Sequence, residues 1–150
     1  MLKRIGVCFA AVALLATVTV YAADAVKLDG VKCVVNSKAP AKAANAVDYK
    51  GGHVYFCCQN CPKAFKADTA KFAAKANHQL VATGQAKQEA CPFSGQPIDE
   101  GTAIKVDGAS VAFCCANCQG KAEKSDDKVA LIFNDKAFEK GFKVAGEKKE

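Results

Sequence analysis

Arginine is almost missing from this chain: the only one among its 150 residues is Arg4, near the amino terminus. Arginine is the side chain that grips phosphate and guanine with two parallel hydrogen bonds. Its absence from residues 5–150 therefore argues against a nucleic-acid-binding protein, despite a formal net charge of +6. Histidine is nearly as scarce. His53 and His78 are the only two, and hydrolytic chemistry has little to build on with so few general bases. His53, close before Cys57, offers an accessory ligand but reads first as an exposed strand histidine, and His78, between Asn77 and Gln79, as a surface helix end. Long apolar runs are confined to one segment at the start. With 51% hydrophobic and 24% charged residues, the composition excludes a polytopic membrane protein, wholesale disorder and a collagen-like repeat. The lysines alternate with alanines and acids, as on a solvated face.

Cysteine is what the chain has in excess, with nine in 150 residues. The first of them, Cys8, lies in a segment with its own logic. Met1-Leu2-Lys3-Arg4 precedes an apolar run from Ile5 to Val20, and Val20-Tyr21-Ala22 ends on a small residue. That order of basic start, apolar core and small-residue edge reads as a signal peptide over 1–22, and implies a periplasmic or secreted protein. The alternative is an uncleaved membrane anchor, since Ile5 to Ala23 is just long enough to cross a bilayer of ~30 Å. Removing the segment leaves eight cysteines and, from Ala23 onward, 19 lysines against 15 acids. In an oxidising compartment, metal and disulfide readings of those sulfurs compete.

Sliding the sequence along itself by 57 or 58 positions superposes two cysteine frameworks. The first has Cys33, then Val54-Tyr55-Phe56-Cys57-Cys58-Gln59-Asn60-Cys61. The second has Cys91, then Val111-Ala112-Phe113-Cys114-Cys115-Ala116-Asn117-Cys118. Phe-Cys-Cys-x-Asn-Cys recurs intact. Ahead of the second triplet, Ile104 and Val106 alternate with polar residues, Asp107-Gly108 supplies a turn, and Val111 and Phe113 resume the alternation, which predicts a β-hairpin. Lys50-Gly51-Gly52 does the same for the first. After the first triplet the apolar stripe of Ala64, Phe65, Phe72 and Ala76 predicts a helix from Asn60 to about Ala76, with Pro62 in its first turn. The second copy predicts a shorter helix around Lys121–Lys124, a turn at Ser125-Asp126-Asp127, and a helix over Asp135–Lys143. Residues 39–45 read as a loop or short helical turn, and 83–90 as the linker between copies. The expected architecture is α+β: unit one over 23–82, unit two over 91–145, and a charged tail over 146–150.

Placing Cys57, Cys58 and Cys61 at a strand end running into a helix puts Cys57 and Cys61, or Cys58 and Cys61, one turn apart on the same side. The unpaired amides of a helix start favour negative charge, so such thiols ionise more readily than free cysteine. Cys33 and Cys91, on facing loops, bring a third sulfur to each group. Three or four soft thiolates suit Zn2+ or Cu+ and disfavour magnesium or calcium. A unit of about 50 residues buries too little for a self-sufficient core, so a closed metal site would contribute folding free energy directly. Disulfides between the same sulfurs would staple the units too.

The pattern of Cys, 22 or 23 residues, Cys, three residues, Cys, preceded by Val-Tyr-Phe or Val-Ala-Phe, resembles the TRASH and YHS family of small metal-binding modules. The second copy resembles it most fully, with Cys91-Pro92-Phe93-Ser94-Gly95 like the family's opening motif. The first has Cys33-Val34-Val35-Asn36, without the Pro and Gly, and one more intervening residue. The resemblance spans most of the chain from Cys33 to about Phe133. It implies tandem treble-clef-like zinc-finger units of loop, hairpin and helix, and a link to trafficking, sensing or resistance to heavy metals. It also implies the ligand sets Cys33, Cys57, Cys61 and Cys91, Cys114, Cys118, with Cys58 and Cys115 as fourth ligands.

A thiol–disulfide oxidoreductase is the sharpest rival, because Cys58–Cys61 and Cys115–Cys118 have CxxC spacing at a helix start. Against it stand the lack of a βαβ pattern of thioredoxin size and the extra cysteine directly before each pair. The reading that follows is a non-enzymatic, exported protein that sequesters, delivers or senses thiophilic metal, with a metal-donor or acceptor protein as partner.

Overall fold

The computed structural model describes residues 26–146. The segment read as a signal peptide and residues 147–150 of the charged tail lie outside the described residues. The elements run β1 (Lys42–Tyr49), β2 (Gly52–Phe56), α1 (Asn60–Ala67), α2 (Thr69–Ala82), β3 (Ala86–Gln88), β4 (Asp99–Val106), β5 (Ala109–Phe113), α3 (Ala116–Glu123), α4 (Lys128–Phe133), α5 (Asp135–Gly141) and β6 (Phe142–Val144). The class is α+β, built twice from a lead loop, an antiparallel hairpin and a helical segment.

The hairpins β1–β2 and β4–β5 form where the alternation and the turn residues require them. Each has a two-residue loop, Lys50-Gly51 or Asp107-Gly108, in which both residues have positive φ (48° and 78°, 44° and 92°). That combination matches the right-handed twist of the flanking strands. The alternation then points Val54 and Phe56, or Val111 and Phe113, fully inward. Both hairpins keep the same length: Lys42 pairs with Phe56 as Asp99 pairs with Phe113. The extra residue of the first copy sits in its lead loop. Cys33 N–H closes that loop on Ala39 O (2.9 Å), whereas Cys91 N–H closes on Gln96 O (2.9 Å), one residue sooner.

Four expectations about the secondary-structure elements need correction. The helix expected over Asn60–Ala76 is two helices. Asp68 leaves the helical conformation (φ −147°, ψ 74°) and its carboxylate caps the next helix at Lys71 N–H, so α2 restarts and continues to Ala82. Ala64 consequently faces solvent. Residues 42–45 of the expected loop belong to β1. The expected linker contains β3, and the last helix stops at Gly141 so that Phe142 and Lys143 can form β6. β3 and β6 pair antiparallel, Ala86 opposite Val144 and Gln88 opposite Phe142, so the closing strand of one copy is stitched to that of the other.

A single buried cluster runs through both copies, with Phe56, Phe65 and Leu80 from the first and Phe113, Ile132, Phe133 and Phe138 from the second. Helix α2 packs mainly on α4. The phenylalanines are core, as their spacing suggests. His78 is not a surface helix end. Its Nε2 lies 2.9 Å from Val106 O and its ring meets Phe133 edge-on at 5.0 Å, so it joins α2 to the second hairpin. Lys50 makes a second link between copies through the Asp135 carboxylate at 2.8 Å.

Gly141 sits where β6 departs from α5 against the second lead loop. A Cβ there would lie 2.9 Å from Pro92 Cα and 3.0 Å from Ala90 O, both backbone atoms. Gly120 on α3 has nothing within 4 Å of an added Cβ. Gly141→Ala is expected to destabilise by about 1–3 kcal/mol through overpacking, while Gly120→Ala should stabilise by up to about 1 kcal/mol through helix propensity. Urea unfolding of the two variants checks the opposite signs.

Candidate metal centre

Each lead loop carries its cysteine under the end of the neighbouring hairpin strand, where the chain turns into a helix. Cys57 follows β2 and Cys61 lies in the first turn of α1; Cys114 follows β5 and Cys118 lies in the first turn of α3. The result is two groups of three sulfurs: Cys33, Cys57 and Cys61, then Cys91, Cys114 and Cys118, each within 4.8 Å of one another. Cys57 and Cys61 are 3.6 Å apart, and Cys114 and Cys118 3.7 Å. All eight described cysteines are free thiols.

Those separations fit a metal. Zn–S bonds of ~2.3 Å in a tetrahedron put ligand sulfurs ~3.8 Å apart, against ~2.05 Å for a disulfide. The two three-cysteine groups could each hold a metal ion, and the sulfur donor set favours a thiophilic one. Cys58 and Cys115 are placed differently. Both are exposed and each lies against its group, Cys58 3.6 Å from Cys61 and Cys115 3.7 Å from Cys114. Neither histidine joins a sulfur group among the described residues. His53 is exposed as expected, with Nδ1 2.8 Å from the Asp48 carboxylate.

The thiols of one group differ in acidity because their surroundings differ. Burial opposes ionisation at Cys33, but the amides of Asn36, Cys57 and Val35 outweigh it and hold the thiol below its ordinary value; Asn36 N–H lies 3.4 Å from the sulfur. At Cys91 burial is likewise outweighed, by the Ser94 hydroxyl and the amides of Ser94, Cys114 and Phe93, and the thiol falls to about 6. Burial first and the neighbouring sulfurs second push Cys61 far up and Cys118 to about 12. Burial also raises Cys57. The amides of Cys61 and Asn60 at the start of α1 bring exposed Cys58 down to about 7, and the Cys118 amide leads in lowering Cys115. Each group thus has a lead-loop thiol ready to ionise and a helix thiol that keeps its proton until a cation offsets the charge already present.

Two glutamines that the sequence did not single out hold these groups in register. Gln79, buried on α2, donates from Nε2 to Lys32 O (2.8 Å) and Tyr55 O (3.0 Å), and its Oε1 accepts from Tyr55 N–H (2.6 Å). Gln88, on β3, donates to Ala90 O (3.0 Å) and Ala112 O (2.6 Å) and accepts from Ala112 N–H (2.9 Å). Lys32 and Ala90 directly precede the lead cysteines, and Tyr55 and Ala112 stand two residues before Cys57 and Cys114. Each amide therefore ties a lead loop to the strand that delivers the second sulfur. The two are not related by the 57-residue repeat, and the only sequence signal is that Gln79 falls beside Ala76 and Leu80 on the buried face of α2.

No family model, no curated protein and no solved structure matches the chain. No described helix is long and apolar enough to cross a membrane.

Two outcomes are expected. Partners outside a ligand shell are typically worth ~10–100-fold in metal affinity, so Gln79→Ala should weaken the first group's affinity by about that factor and spare the second, with Gln88→Ala doing the reverse. Competition against a chelator of known affinity reads both. In reduced, metal-free protein at pH 7, iodoacetamide should modify Cys58 before Cys61, with the Cys58 rate falling as pH drops through about 7, where its thiolate is lost. Peptide mass mapping over time gives the order; Cys61 reacting first would contradict the assigned acidities.

Proposed function

We propose that this chain is an exported, non-enzymatic protein that holds one thiophilic ion, Zn2+ or Cu+, at each of its two three-cysteine groups and serves to sequester, deliver or sense that metal. The observation that carries the reading is the recurrence of one sulfur arrangement at two places with bond-compatible spacing. A chance meeting of thiols would not repeat with the same strand end, helix start and lead loop. The resemblance to TRASH and YHS modules rests on the same residues and points the same way. In this reading Cys33, Cys57, Cys61 and Cys91, Cys114, Cys118 are the ligands. Cys58 and Cys115, exposed and each in contact with a ligand sulfur, are the thiols through which metal passes to or from a donor or acceptor protein. Export to the periplasm or medium belongs to the proposal through the amino-terminal segment.

Thiol–disulfide exchange has one observation in its favour: Cys58 is exposed, has an acidity near neutrality, and lies 3.6 Å from Cys61 in CxxC spacing. In a redox protein that pair would turn over repeatedly in an insulin-reduction assay; in a metal protein it would not.

Purified under reducing conditions, the protein should carry about two soft metal ions per chain. Cys61→Ser and Cys118→Ser should each remove about one, which elemental analysis with thiol counting on the same sample measures. Metal-free protein with all eight cysteines in disulfides, taken directly from its compartment, would sink the proposal.

A further inference from the structure

The two sulfur groups share their geometry but not their electrostatic setting. Residues 26–82 carry nine lysines against three aspartates, whereas residues 91–146 carry seven lysines against eight acids. Part of the difference falls at positions that flank the cysteines in sequence and strand register. Strand register makes Lys42 and Asp99 equivalent, since each pairs with the phenylalanine directly before its cysteine triplet, Phe56 or Phe113. Counting from the last cysteine of each triplet, Lys63 corresponds to Gly120 and Lys66 to Glu123. Lys38 occupies the first lead loop, while no charged residue lies between Cys91 and Pro97 in the second.

Lys38, Lys42, Lys63 and Lys66 are all exposed, and none takes part in an ion pair among the described residues. Around the second group Lys121 Nζ lies over the Phe93 ring at 5.0 Å and Lys140 Nζ donates to Phe93 O at 3.2 Å, while exposed Asp99 and Glu123 stand at the positions equivalent to Lys42 and Lys66. Uncompensated charges of one sign around an opening raise the local concentration of oppositely charged solutes and their association rates ~10–1000-fold at low ionic strength.

We infer that the first sulfur group, flanked in sequence and register by Lys38, Lys42, Lys63 and Lys66, exchanges its metal preferentially with anionic carriers, small complexes in which the ion is presented inside a negatively charged chelate, and that the second group has no such preference. The inference rests on the reading of both groups as metal sites and adds the class of exchange partner for one of them. Each incoming thiol gives its proton to solvent and, as the thiolate, replaces one donor atom of the carrier; the carrier leaves with its full negative charge, and no electron moves. The lysines act on the approach of the carrier and on its departure, without binding the ion.

The test offers copper(I) in two forms to reduced full-length protein, as the trianion with two bathocuproine disulfonate ligands and as the cationic acetonitrile complex, and follows transfer by stopped flow. Cys118→Ser isolates the first group and Cys61→Ser the second; in the unaltered protein the same difference would read as two phases. From the trianion at low salt, the first group should fill at least about tenfold faster than the second. The gap should close at ~0.5 M salt, where charges beyond a few ångströms are screened, and it should vanish or invert in Lys42→Glu/Lys63→Glu. The cationic complex should show no advantage for the first group. Equal rates with equal salt dependence at two filled groups would overturn the inference and leave the metal-site reading standing. Failure of either group to take copper from both forms would overturn the two together.

Discussion

Three sulfur atoms within 4.8 Å of one another cannot all carry charge unless a cation lies among them. At ~4 Å, two like charges near a protein surface repel by about 4 kcal/mol. The acidities fit that constraint: backbone amides hold the lead-loop thiols low, while burial first and the neighbouring sulfurs second make the helix thiols keep their protons. A soft cation removes the conflict by replacing the retained protons and satisfying every sulfur at once. The hairpins, the helix starts and the glutamine ties all serve to keep that unfavourable gathering of thiols in place.

Duplication has been used in two ways. The sulfur geometry, the hairpin length and the two-residue turns are kept, while the supports around them have diverged. The first group is braced by Gln79 from a fourteen-residue helix and the second by Gln88 from a three-residue strand. These lie nine residues apart on one stretch of chain that also forms the seam with β6. The main apolar cluster passes between the copies, with only a small separate cluster of Val31, Ala41 and Tyr55 in the first, and the sharing compensates for the small size of each unit.

The parts of this structure governed by neighbours in sequence were legible before it was seen. Asp107-Gly108 and Lys50-Gly51 announce turns because few residue pairs tolerate positive φ. Alternation fixes which side of each strand is buried, and the cysteine spacing brings Cys61 and Cys118 beneath a preceding cysteine, though it leaves Cys57 and Cys58, or Cys114 and Cys115, undistinguished. What escaped were features decided by distant partners. β3 and β6 are three residues each, too short for any periodicity, and exist because they pair across 54 to 58 residues of chain. The break at Asp68 turns on a single capping carboxylate inside an otherwise continuous helical pattern. Gln79, Gln88 and His78 look like surface residues by type, yet each satisfies backbone groups on another element. A side chain's choice of a remote carbonyl leaves no trace in local composition.

X-ray absorption at the edge of the bound element tests the central claim most directly, because it reports the atoms around the ion without reference to any fold. The account predicts a first shell of sulfur alone, three or four atoms at about 2.3 Å for zinc, present in protein purified without added metal and halved in amplitude per chain by Cys118→Ser. A shell dominated by nitrogen or oxygen, or no absorbing element in reduced and folded protein, would contradict it.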